Sequence, residues 1–358
     1  MIVQTLPIGQ FAHPFWQSAA NALHHPVAGS ISIDIGATIL AISRLSLAVV
    51  VALLCAAIAI DRTRAEWVLI VLTITTSLMS VWSLFGQPVP TWLGMAIKGG
   101  IGGQIFAYAS LGLILGVTSG YLFFERFETR RTRQKHAFWR LIFQEGACAF
   151  AVVTSGLVVL QSRDQQVLFV AIAGLSVLLT VILIRRLGLG ALTGGAIVLT
   201  LIIIGTIIAS TGHLRAADPL FAYSTAPDAS IELSRRMLED APWAGTGAGT
   251  FGSLRPLYQT FEDSGNIAIP SSAAALSIEL GRNLFWLTIG LALILFVLLL
   301  RCTLKRGRDS IYASAGVSCL MTLVLGSFIN AGLFATPIWL CASAILGLAL
   351  AQSKSRSL

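Results

Sequence analysis

The sequence predicts an all-α fold: a polytopic transmembrane helical bundle of about nine spans with one large extracytoplasmic loop. Three observations carry this reading. Of the 358 residues, 56% are hydrophobic before the 33 glycines are counted, and only 11% are charged. A typical soluble domain has about 25% charged residues. The mean hydropathy is +0.82, and several apolar runs are long enough to cross a hydrocarbon layer ~30 Å thick. A soluble protein is excluded, and so is a nucleic-acid binder. The net charge of +8 would suit a polyanion, but its distribution along the chain has another meaning.

In chain order the apolar runs fall at residues 37–60, 66–84, 104–124, 146–161, 167–184, 189–210, 283–300, 311–330 and 334–351. The fourth is short, and the eighth is interrupted by polar residues. The connections between runs form two alternating sets, and cations mark the cytoplasmic one. That set holds Arg62, Arg64, the cluster from Arg126 to Arg140, Arg185, Arg186, the cluster from Arg301 to Arg308, Lys354 and Arg356, which is 16 of the 24 basic residues. The other set holds Lys98, Arg163 and five arginines between residues 211 and 282, while residues 1–36 have none. Arg44 lies within the first run, where packing or snorkelling is the default role.

The C-terminus is therefore expected inside a bacterial inner membrane, with a periplasmic N-terminal segment and a periplasmic loop. Four regions follow: residues 1–36, a six-span membrane region 37–210, the loop 211–282, and a three-span region 283–358. No signal peptide is visible at Met1. The weakly charged tail, with Asp34 alone, either crosses directly or follows helices further upstream. The five cysteines lie in spans or at the cytoplasmic edge, so neither disulfides nor a thiolate metal site is expected. Glycines within spans, such as Gly103, suit helix packing. Trp16, Trp92, Trp243, Trp286 and Trp339 suit the membrane interfaces.

Chemistry is expected in the long loop from Thr211 to Arg282. It opens with His213 and Arg215. Asp228 then suits the N-cap of a short helix ended by Pro242, with Ile231, Met237 and Leu238 on its apolar side and Arg235 and Arg236 among its polar positions. Two roles stay open for that helix: lying on the membrane surface, or binding substrate. In WAGTGAGTF, Gly245, Gly247 and Gly249 permit positive φ and bare N–H groups, as an anion nest requires. The spacing is not that of a dinucleotide fingerprint. Arg255, Tyr258 and Phe261 follow, and Glu279, Gly281 and Arg282 close the loop. Guanidinium groups hold phosphate oxygens bidentately, and nucleotides are scarce outside the cell. The expected ligand is the diphosphate of a lipid carrier, bound by Arg215, Arg235, Arg236, Arg255 and Arg282 with the glycine turn.

The run APWAGTGAGTF, the following LRPLYQTF and a helix entered through IELG resemble the signature region of the O-antigen ligase and polysaccharide polymerase family. HPFWQSAANAL with GSISIDIGAT, and GSFINAGLFATPIWLCASAILGLALAQS near the C-terminus, resemble further segments of it. The resemblance implies a membrane glycosyltransferase that needs no metal or other cofactor. It would pass glycan from an undecaprenyl diphosphate-linked donor to a lipid or glycan acceptor, with loop arginines on the diphosphate. It also implies that this chain lacks the family's first helices.

Three departures bear on activity. The family's His-Asn pair, nine residues before the glutamate, is Pro270 and Ser271 here. Two further family arginines are replaced by Pro227 and Gln259. Proline cannot act as a base, which leaves His213, the loop's one histidine, and Glu279 as candidates. The alternative reading is a non-catalytic or truncated homologue that binds lipid-linked glycan or partners a complete polymerase. A transporter fits less well, because only Arg44 suits an ionisable group near mid-membrane. The basic run ERFETRRTRQKHAFWR suits anionic membrane lipids, although setting topology accounts for it.

Overall fold

The computed structural model describes residues 1–7, 12–85, 101–130, 138–162, 164–186, 218–259, 269–305 and 310–353. Every regular element among them is helical. In order these are α1 (Ile2–Thr5), α2 (Pro14–Leu23), α3 (Ile35–Ile58), α4 (Arg62–Leu84), α5 (Ile101–Arg130), α6 (Phe138–Gln161), α7 (Gln165–Arg186), α8 (Asp228–Asp240), α9 (Phe251–Tyr258), α10 (Ser272–Leu280), α11 (Arg282–Lys305), α12 (Ser310–Ile329) and α13 (Thr336–Ser353).

Seven of these, α3, α4, α5, α7, α11, α12 and α13, are long and apolar enough to cross a membrane. The chain is a membrane protein. The fourth expected span coincides with the apolar part of α6, Glu145–Gln161, which is shorter. The sixth, 189–210, lies outside the described residues. Seven of the nine expected runs thus coincide with helices long and apolar enough to cross a membrane among the described residues.

Helices α5 and α12 are central: α5 packs on α4, α6, α7 and α12, and α12 also packs on α7, α11 and α13. The edge helices bury little. Only 6% of the apolar window of α3 and 22% of that of α11 are covered by protein, against 72% for α12. Leu40, Leu47 and Leu53 on α3, and Leu287, Leu291 and Leu298 on α11, face outward. In water those faces would be unfavourable, whereas hydrocarbon makes them neutral.

With lipid outside as apolar as the core, helices associate through close backbone approach and interhelical hydrogen bonds. Both are present. Gly347 of α13 lies against the Ala52 backbone of α3, Gly316 against Ala349, and Gly174 against Thr322. Thr73 and Ser119 pair their hydroxyls at 2.9 Å between α4 and α5. The Gln352 amide of α13 donates to the Ala59 carbonyl at the end of α3. Gly103 closes on Asn330, as its expected packing role requires.

The two termini of the bundle differ in charge. The first residues of α3, the last of α12 and the loop helices α8 to α10 gather at one end, through bonds such as Ile33 N to Thr246 O and Ser272 N to Asn330 O. Arg62, Arg64, Arg185, Arg186 and Arg301 stand toward the other end. There Arg186 lies 5.6 Å from the centroid of the Tyr121 ring, joining α7 to α5.

The tight α3–α13 seam yields a prediction. A Cβ on Gly347 would run into the Ala52 backbone, whereas one on Gly290 of α11 meets nothing within 4 Å. Gly347→Val should destabilise the protein by about 1–3 kcal/mol through overpacking. Gly290→Val serves as the lipid-facing control. Thermal melting in detergent reads the difference, and equal melting of the two variants would contradict the seam.

Candidate functional site

The residues that the sequence singled out as a glycine turn form the junction of the loop end. Gly245, Gly247 and Gly249 have φ of 75°, 111° and 80°. A Cβ on Gly245 would collide with the Glu279 carbonyl, and one on Gly247 with Ser32. The turn is therefore pressed against α10 on one side and against the N-terminal segment on another. Gly249 approaches the Ala37 carbonyl in the first turn of α3.

Backbone hydrogen bonds follow the same geometry. Thr246 N donates to Ile278 O at 3.1 Å and Gly247 N to Glu279 O at 3.0 Å, while Ile33 N donates to Thr246 O at 3.0 Å. Gln4, reached from α1, completes the clasp. Its Nε2 donates to Ala244 O at 2.9 Å and to Glu279 O at 3.2 Å, and its Oε1 accepts from Ala248 N at 3.3 Å. Asp34 caps α3 by accepting from Ala37 N at 2.9 Å and also accepts from the Ser253 hydroxyl at 2.9 Å. These two bonds, Ala37 first, hold its pKa below the usual carboxylate value.

The turn does form an anion nest, and its anion belongs to the protein. Phe251 N donates to Glu279 Oε1 at 3.2 Å, and Gly249 N–H bonds the same carboxyl. Glu279 is 4% exposed. Burial pushes its pKa up to about 7, against the opposing pull of those two N–H groups. So enclosed, the carboxyl serves as a structural ligand of the turn.

Three of the four described loop arginines are engaged by carboxylates. Helix α8 turns Leu233 and Met237 into a small core with Phe251, Leu254, Ile278 and Ile33, so its apolar side is covered by the loop itself. Arg235 and Arg236 lie on its opposite, exposed face. Each is bonded one turn away, Arg235 Nε to Glu239 at 3.1 Å and Arg236 Nε to Glu232 at 3.3 Å. Arg282 pairs with Asp218 at 3.1 Å. Arg255 is different. It is half-buried on α9, its Nε is shut off from solvent with no partner, and no ion pair reaches it among the described residues. His213 and Arg215 lie outside the described residues.

The Pro-Ser pair that stands where a base was expected has structural duties. The Pro270 carbonyl accepts from the Ser224 hydroxyl at 2.7 Å. Ser271 caps α10 by accepting from Ala274 N at 3.1 Å. The expected cap of α8 shifts by one residue: Pro227 is the N-cap, without a side-chain bond, and Asp228 opens the first turn. There a carboxylate favours the positive end of the helix dipole. At the other end of the local core, Tyr258 has its pKa pushed up to about 12 by burial and by the Asp240 carboxylate it hydrogen-bonds. Gln4, Ser32 and Asp218 were missed at the sequence level. Only Asp34, a polar residue just before an apolar run, carried a readable signal.

Two predictions follow. Gly245→Ala combines a strained φ with a collision against backbone, so it should loosen the junction and lower the melting temperature. A control at Gly252, where a Cβ meets nothing, should not. Protonation of Glu279 is linked to folding. Its folded pKa, about 7, lies above the ordinary 4.5, so its contribution is full below about 4.5 and is lost as pH rises through 7. The loss is on the order of 3 kcal/mol, at about 1.36 kcal/mol per unit. Denaturation at pH 5 and pH 8 should show this slope in the native chain and a flatter one in Glu279→Gln. Identical slopes would refute it. The chain matches no protein-family model, no curated protein and no solved structure, so the use of this site has to be argued from its geometry and from the sequence.

Proposed function

We propose that the chain is a membrane glycosyltransferase-like protein of the O-antigen ligase and polysaccharide polymerase type. It would take glycan from an undecaprenyl diphosphate-linked donor at the periplasmic face of the bacterial inner membrane and pass it to a lipid or glycan acceptor. The reading rests on the resemblance of APWAGTGAGTF, LRPLYQTF and IELG. One structural observation supports it: the Arg255 guanidinium, half-buried at the loop end without a protein counter-ion among the described residues. A buried donor left unsatisfied is unfavourable until an anion meets it. A diphosphate supplies oxygens that suit the planar fork. Arg235, Arg236 and Arg282 would have to exchange carboxylate partners for phosphate, which makes them secondary contacts.

A second reading is favoured by the Pro270 and Ser271 geometry. These residues are engaged in holding α10 in place and Glu279 is enclosed, so neither the replaced pair nor Glu279 stands ready to take the acceptor's proton. A chain of this kind would hold the lipid-linked glycan without transferring it, or assist a complete polymerase.

The two readings predict the same binding and different turnover. Arg255→Ala should weaken binding of undecaprenyl diphosphate to the purified protein in nanodiscs by roughly 10- to 100-fold, the range set by a charge-assisted hydrogen bond. The double variant Arg235→Ala, Arg236→Ala should weaken it less. Unchanged binding in Arg255→Ala would overturn the diphosphate assignment. Complementation of a strain lacking its own ligase or polymerase separates the rest: restored surface glycan supports the transferase, and binding without restoration supports the non-catalytic reading.

A further inference from the structure

Helix α1 is built inside out. Gln4, its polar member, is 4% exposed, while Ile2 and Val3 are 69% and 58% exposed. Leu6, just beyond, is exposed as well. The Gln4 side chain fixes this orientation, because all three of its bonds run to the backbone of residues 244, 248 and 279. An isolated surface helix in water would turn the other way, its apolar side toward the protein. Residues 1–33 also contain no Asp, Glu, Lys or Arg, so no side chain of fixed charge holds this segment in bulk water.

The exposed apolar residues of α1 do not form an isolated patch. Helix α1 packs on α3, whose first turns expose Ile39 and Leu40. Gln4 bonds the carbonyl of Ala244, next to Trp243, which is 69% exposed. The Trp243 carbonyl in turn abuts Gly281 at the head of α11, where Leu284, Trp286 and Leu287 face outward. An apolar surface thus runs from the lipid-facing side of α3, across α1 and Trp243, to that of α11.

We propose that α1 and Trp243 form a lipid-binding collar, lying in the interfacial layer of the leaflet at the loop end with Ile2, Val3 and Leu6 among the acyl chains. Indole rings favour that layer, and a short apolar face continuous with the spans can insert there without crossing. The occupant is bilayer lipid. Through Gln4 the collar would also fix the height of the glycine turn relative to the membrane surface.

The test uses the full chain in phospholipid vesicles, with a nitroxide label on Val3→Cys and the labelled parent protein as the background for the native cysteines. Leu287→Cys is the lipid reference and Glu239→Cys the aqueous one. Collisions with oxygen should match the Leu287 label, and those with a water-soluble nickel chelate should fall well below the Glu239 label, as for a site within the interface. Chelate contact equal to that of Glu239 would place α1 in water and overturn the proposal. Exclusion of both reagents would show α1 covered by protein, either a second copy or another part of the chain, and would overturn it equally. Ile2→Cys repeats the measurement in case Val3→Cys disturbs folding, and agreement of the two labels decides the outcome.

Discussion

Burying the Glu279 carboxyl is unfavourable unless donors are fixed around it, and the donors used here are backbone N–H groups of the glycine turn. That requirement governs the loop end. To present Gly249 and Phe251 N–H to one carboxyl, the turn must enter the positive-φ region at residues 245, 247 and 249. To come so close to α10 and the N-terminal segment, it must lack side chains at Gly245 and Gly247. Once placed, it leaves other backbone groups to be satisfied, and Gln4 and Ile33 supply the partners. One buried acid thereby draws together pieces of chain that are far apart in sequence.

The junction also acts on the membrane region. Helices α3 and α11 turn much of their length outward, and α3 is held laterally by its seam with α13. Both are gripped at the loop end. Gly249 closes on the first turn of α3, which Asp34 caps and ties to Ser253. Gly281 at the head of α11 closes on the Trp243 carbonyl. Polar interactions outside the hydrocarbon can thus position helices whose apolar faces, being as content with lipid as with protein, specify little.

The legible part of the sequence was the part governed by local rules. Long apolar runs gave the membrane helices because hydrocarbon demands length and backbone self-sufficiency. The run at 146–161 underestimated its helix, which begins at Phe138, since hydrogen bonding continues past the point where hydropathy falls. The glycine turn was recognised as an anion nest, but its anion was not. Glu279 is distant in sequence from Gly249, and nothing local links them. Two of the expected arginines carry carboxylate partners for a reason that was readable: Glu232 with Arg236, and Arg235 with Glu239, have the spacing of ion pairs along one helix face. Gln4 carried no signal, because its partners are as far as residue 279.

The same geometry separates anion binding from proton removal in this loop. A transferase needs both: a cation to steady the departing diphosphate and a base for the incoming hydroxyl. Such a base typically contributes 10²–10⁴-fold in rate. On the proposed reading Arg255 takes the first task, since no ion pair engages it among the described residues. For the second, neither the replaced pair nor Glu279 is free. Pro270 and Ser271 are bonded into the frame of α10, and freeing the Glu279 carboxyl would release the turn that anchors α3 and α11. Residual transfer could still arise from positioning alone. If the proposed function holds, a chain organised in this way would keep its hold on a lipid-linked donor while its chemistry depended on a group supplied from elsewhere.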